Sequence, residues 1–211
     1  MGSGEDRYGV EARSYLGRCK ERLLENTKAS LFYAAYELRN CVEARLSEYI
    51  EHFEPMKNKK VKPYRIGENA RLVRQISQGH AIACFEGEFE GYTLKEYHTP
   101  VPIELKRYCE KKVDELRHAQ VKFRHSDDEW WISTRNDLLA NYRLAWFACQ
   151  GNMPVPPLWE NGTKRMHPTI FMLTDENRDA LQAFAKDAIG REGEFRISYI
   201  SNPYDLWEPD L

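Results

Sequence analysis

Residues 29–50 read ASLFYAAYELRNCVEARLSEYI, and the fold turns on whether they form one helix. Leu31, Ala35, Leu38, Val42, Leu46 and Tyr49 recur at steps of three and four, and Phe53 continues the series. At about 100° per residue these positions share one face. Thr27 offers a hydroxyl to the orphan amides of a first turn, and Pro55 lacks the N–H that a further turn requires. The spacing predicts a long amphipathic helix between them. A shorter helix, starting near Arg13 and breaking near Asn26-Thr27, makes the pair a helical hairpin.

Moving outward, MKNKKVKPYR (56–65) is a basic connector, and a short helix is expected around Asn69 to Ser77. From Ala81 to Tyr97 the period changes to two: Ala83, Phe85 and Phe89 alternate with polar or small residues, and Glu90-Gly91 is a turn. A third long helix, Ile103 to Phe123, has the stripe Leu105, Cys109, Val113, Leu116 and Gln120 or Ala119. A fourth begins at HSDDEWW (125–131), where Ser126 and Glu129 have the spacing of a capping box. Its stripe is Trp131, Thr134, Leu138, Tyr142, Ala145 and Cys149. Gly151-Asn152 stops it, and MPVPPLW (153–159) cannot continue it. In the tail, residues 169–173 and 195–200 are β-rich. Residues 175–189 between them are amphipathic through Leu181, Phe184, Ala185 and Ala188.

The fold class expected is α+β. A mainly helical body of antiparallel long helices occupies residues 1–152, with a β-hairpin inserted at about 80–98. A proline-rich linker and a C-terminal strand-helix-strand element, residues 153–211, pack on it. That element can complete a small sheet with the hairpin.

Composition narrows the function classes. Of 211 residues 42% are hydrophobic and 30% charged, with 5 Trp, 12 Tyr and 9 Phe, which is globular and opposite to disorder. A net charge of -2 does not recommend a dedicated nucleic-acid binder, whose affinity rests on neutralising phosphates. No apolar run is long enough to span a membrane, and the first residues lack secretory-signal order. The five cysteines are widely spaced without a CxxC pair. That pattern fits buried, reduced thiols in a cytoplasm.

Several clusters carry chemistry. Arg39, Glu43, Arg45 and His52 flank the apolar stripe of the long helix. An Arg steadying a phosphate beside a His acting as general acid or base is an RNA site. The other reading is helix-surface ion pairs one turn apart. Lys57, Lys59, Lys60, Lys62 and Arg65 of the connector are candidate phosphate contacts, weighed against a solvated loop with acidic flanks. His118 and His125 stand among Arg and Asp residues, without the i, i+4 spacing of a helix-borne zinc motif. Neither a GxGxxG, a GxxxxGK[ST] nor a GxSxG is present, and no cofactor or metal is expected.

The paired helices, the segment 29–50 and Arg135-Asn136 together resemble the HEPN superfamily of helical-bundle proteins. Many of its members are metal-independent ribonucleases of bacterial toxin and defence systems. Their signature is an Arg, often a polar neighbour, four to six residues, then His. Here Arg135-Asn136 matches the first half, but Ala140, Asn141 and Tyr142 stand where the His would be. Arg45 and His52 have the spacing without the polar neighbour. The resemblance covers residues 12–150 at most. It implies a non-catalytic binding or scaffold module of a bacterial cytoplasmic system, stress or phage defence among them, with a protein partner or a second copy. The alternative it implies is a divergent metal-independent ribonuclease using Arg135, Asn136, Arg45 and His52 across a dimer interface.

Overall fold

The computed structural model describes residues 8–52, 62–77, 82–89, 92–117, 122–154, 156 and 194–211. The segment 29–50 is one helix within α2 (Lys28–His52), preceded by α1 (Ala12–Glu25). Between them Asn26 adopts φ 51°, a left-handed conformation in which Asn is tolerated better than most residues. Thr27 caps α2 as expected: its Oγ1 accepts from the Ser30 amide at 3.0 Å, and Ser30 Oγ accepts from the Thr27 amide at 3.0 Å. α1 runs antiparallel to α2, pairing Arg18 with Glu37 and the Ala12 amide with Glu48.

All six stripe residues from Leu31 to Tyr49 are buried, and so are Ala34, Cys41 and Ile50 on a neighbouring face. α2 is apolar beyond one stripe because other helices cover it from several sides. α3 (Ile66–Ser77) packs on it, as does α6 (Glu129–Ala148). α6 runs parallel to α2, with Phe32 against Trp131 at one end and Cys41 beside Cys149 at the other.

The third long helix differs from the uniform α-helix expected. α4 (Ile103–Tyr108) widens into a π-helical turn (Cys109–Val113) and resumes as α5 (Asp114–Arg117). Phe123 lies outside it and is exposed. Its buried residues, Leu105, Cys109 and Val113, belong to the expected stripe; Leu116 is partly buried, and positions 119 and 120 lie outside the described residues. The cap of α6 also needs correction. Asp128, not Ser126, is the N-cap, and its carboxylate accepts from the Trp130 amide at 2.9 Å.

β1 (Ile82–Phe89) and β2 (Tyr92–His98) form the expected hairpin. β3 (Glu194–Ile200) pairs antiparallel with β1, giving the order β2-β1-β3. The tail therefore completes the sheet, and the molecule is α+β. The expected strand 169–173, the helix 175–189 and most of the proline-rich linker lie outside the described residues. The linker's first residues are packed: Met153 is fully buried, and its amide donates to Tyr97 O at 3.0 Å. The C-terminus docks on the helices, where Asp210 accepts from the Tyr142 hydroxyl at 2.7 Å and from Lys20 at 2.8 Å.

The cap assignment separates two substitutions. Asp128→Ala should lower stability by about 1 kcal/mol, while Ser126→Ala should leave the urea midpoint unchanged.

Candidate functional site

Of the chemistry-bearing residues expected on α2, Arg45 lies where α6 ends. The last carbonyls of a helix have no partner within it, and here they are buried against β2. Arg45 supplies what they need. Its Nε donates to Ala148 O at 2.7 Å and its Nη2 to Gly151 O at 2.6 Å. Nη1 pairs with Glu48 at 3.0 Å, and the guanidinium lies 4.6 Å from the Tyr49 ring centroid. Glu48 also accepts from the first amide of α1 at 2.8 Å. Arg13 serves the next carbonyl, Cys149 O, at 2.8 Å. Thr99, just past β2, donates to Ala148 O at 2.9 Å and accepts from the Gly151 amide at 3.0 Å. A side chain at Gly151 would fall against Tyr97 O and, at 2.9 Å, against the Thr99 amide.

His98 closes this node. Its Nδ1 lies 3.0 Å from Met153 O. A carbonyl only accepts, so Nδ1 carries the proton and Nε2 is the lone-pair nitrogen. That nitrogen is buried without a hydrogen-bond partner. A second proton there would have no acceptor. Burial, reinforced by the nearby Arg45 charge, depresses the His98 pKa to about 4, against the opposing bond to Met153. Beside it, Cys41 and Cys149 bring their sulfurs within 3.7 Å. The hydrogen bond between them lowers the pKa of Cys149, with Arg45 adding to the effect, and raises that of Cys41. All five cysteines are free and buried, as their wide spacing without a CxxC pair suggested.

The other expected residues fall elsewhere. His52 is half-buried at the end of α2, with Nδ1 donating to Glu48 O at 2.7 Å. Arg135 is half-buried and Asn136 exposed near the start of α6. Arg45 holds the carbonyl of Ala148, on the same helix as Arg135. At about 1.5 Å per residue the interval is roughly 20 Å. One copy of the chain therefore does not bring Arg45 and Arg135 together. Tyr142, at a position where the HEPN His would stand, is buried and bonded to Asp210.

Arg39 forms the expected pair with Glu43 at 2.7 Å. It also reaches Cys109 O in the π-helical turn at 3.0 Å and Asp114 at 2.8 Å. Of the basic connector, Lys57, Lys59 and Lys60 lie outside the described residues. Lys62 is exposed, and Arg65 pairs with Glu68 at 2.9 Å. His118 also lies outside them. His125 is exposed, and no group of three metal-ligating side chains occurs among the described residues.

A second feature was missed in the sequence. On the outer face of α1–α2, Tyr8 and Tyr33 are each more than 60% exposed, and Tyr36 is 46% exposed. The Arg18 guanidinium stacks 4.1 Å from the Tyr8 ring and 4.5 Å from Tyr15, while Glu37 holds its Nε at 3.0 Å. Arg22 lies 5.9 Å from Tyr33. The signal was available: Tyr33 and Tyr36 are three apart and off the apolar stripe. At the N-terminal end of α6, Trp130 and Trp131 pack with Phe32, and Arg124 lies 4.0 Å over the Trp130 ring.

Comparison of the chain with protein-family models, with curated proteins and with solved structures returned no match. No helix among the described residues is long and apolar enough to cross a membrane.

The node predicts two measurable effects. Arg45→Met leaves the buried Gly151 carbonyl without its donor and removes one donor each from Ala148 O and Glu48, so urea unfolding should show a loss of about 3–5 kcal/mol. His98 supplies a pH dependence. Its pKa is depressed from 6.5 in the unfolded chain to about 4 when folded, so between those values the unfolded state binds more protons. Stability from this group is complete above pH 6.5, and it is lost as pH falls toward 4. The loss is on the order of 3 kcal/mol. His98→Asn, which keeps a donor for Met153 O, should flatten that part of a melting-temperature profile.

Proposed function

We propose that the chain is a non-catalytic binding or scaffold protein of a bacterial cytoplasmic system, and that it works through the outer face of α1–α2. The observation that carries this reading is the set of exposed tyrosines, Tyr8, Tyr33 and Tyr36, with Arg18 against Tyr8 and Arg22 near Tyr33. Tyr and Arg supply a large share of interface energy because they bury much area for little side-chain entropy. Arg18, wedged between Tyr8 and Tyr15 and paired with Glu37, fixes those rings before any partner arrives. Such preorganisation lowers the ordering cost of association. The node around Arg45 supports the same reading, since its guanidinium is committed to structural carbonyls. The helical-bundle analogy with HEPN proteins adds the cellular setting, stress or phage defence, and rests on the resemblance alone.

A second reading is a divergent metal-independent ribonuclease assembled from two copies. It is favoured by Arg135, whose buried Nε has no hydrogen-bond partner, next to exposed Asn136.

Two assays separate these readings. Purified protein incubated with a mixed RNA pool in excess EDTA should leave it intact. Cleavage abolished by both His52→Ala and Arg135→Ala would install the ribonuclease instead. In parallel, Tyr33→Ser/Tyr36→Ser should weaken binding to the partner, or to a second copy, by about tenfold or more. Calorimetry or a light-scattering dilution series reads that change, with the melting temperature unchanged. Equal binding by both proteins would remove α1–α2 as the contact face.

A further inference from the structure

A cavity of about 320 Å³ opens between α3 and α4, on a different side of α2 from the tyrosine face. Its walls are of two kinds. Leu46, Ala70, Val73 and Val101 make an apolar floor, and Arg71, Arg74, Lys106 and Arg107 surround it; no carboxylate lines it. Four cations around one depression, in a chain whose net charge is -2, are not a by-product of general basicity. Arg71 and Arg74 stand three apart on α3, a spacing at which like charges repel. Lys106 is answered by Glu110 at 3.2 Å. A side chain at Gly67 would collide with that Glu110 carboxylate, so glycine lets Glu110 settle against α3. Arg71, Arg74 and Arg107 form no ion pair with any described residue. Guanidinium forks match the planar oxygens of phosphate and carboxylate, and a largely apolar pocket with a few convergent polar groups is the usual form of a small-molecule site.

We infer that this cavity binds a small organic anion, whose phosphate or carboxylate head pairs with Arg71, Arg74 and Arg107 and whose apolar body rests on Leu46, Ala70 and Val73. The site goes beyond the binding-face reading and shares no residue with it, so either can fail alone.

The test is an NMR titration of the full chain with phenyl phosphate, with octanoate and with inorganic phosphate, reading the Leu46 and Val73 methyls and the arginine Nε–H signals. One of the two organic anions should shift these signals saturably, with a Kd of about 1 mM or tighter. Whichever does so at lower concentration identifies the head group. Inorganic phosphate should bind at least about tenfold more weakly, because it leaves the floor uncovered. Arg71→Gln/Arg74→Gln should weaken binding about tenfold. Arg107→Gln, on the opposite wall, should act in the same direction, and Ala70→Trp should block the cavity while distant methyls keep their dispersion. Three results overturn the inference: no shift of these signals by either organic anion, inorganic phosphate binding equally well, or a folded arginine double variant that binds as the parent does.

Discussion

The end of α6 is the constraint around which the molecule is arranged. Carbonyls there must leave the helix, turn at Gly151 and lie against β2, where water does not reach them. A buried carbonyl without a donor costs about 1–3 kcal/mol, and the end of α6 with the turn after it presents several together. Arg45 answers two of them and Arg13 a third. Burying the Arg45 charge is tolerable only because its nitrogens have acceptors in fixed directions and Glu48 supplies the counter-charge. A lysine, with one nitrogen and no planar fork, could not serve carbonyls three residues apart.

The same device occurs a second time on α2. A π-helical turn breaks the regular hydrogen-bond ladder of the α4–α5 helix at Cys109–Val113, and Arg39 reaches the Cys109 carbonyl and the Asp114 carboxylate beside it. The end of α6 and the π-helical turn are each met by a guanidinium projecting from α2. The helix is thus a hydrophobic core element with two polar arms, and its arginines hold backbone in shape. The surfaces proposed for recognition lie elsewhere: the tyrosines of α1–α2 and the cationic cavity between α3 and α4.

Much of this layout was written in local patterns. The steps of three and four from Leu31 to Tyr49, the Thr27 cap, the alternation through Phe85 and the β-rich run at 195–200 each correspond to an element that forms. Patterns of that kind act within a few residues and survive tertiary packing. The π-helical turn did not show, because its stripe Leu105, Cys109, Val113 is compatible with ordinary helix. The choice of Asp128 over Ser126 depends on which backbone amide ends up in reach. The role of Arg45 was least legible. Its partners, Thr99, Ala148 and Gly151, are distant in sequence, and an Arg beside a His at suggestive spacing reads equally well as chemistry. The unanswered arginines around Leu46 were hidden for the same reason: Arg71 and Arg107 meet only in three dimensions.

Gly151 carries a consequence for motion. With no side chain at that point, the backbone after α6 presses directly on the end of β2, and Thr99, Tyr97 and His98 are bonded across the seam to Gly151 and Met153. Strand and helix end share the same hydrogen bonds, so neither can open without the other. Amide exchange in β2 and in the last turn of α6 therefore belongs to one cooperative unit. The sheet is a shelf bolted to the helices along its β2 side, and β3, on the far side of β1, is the strand best placed to breathe.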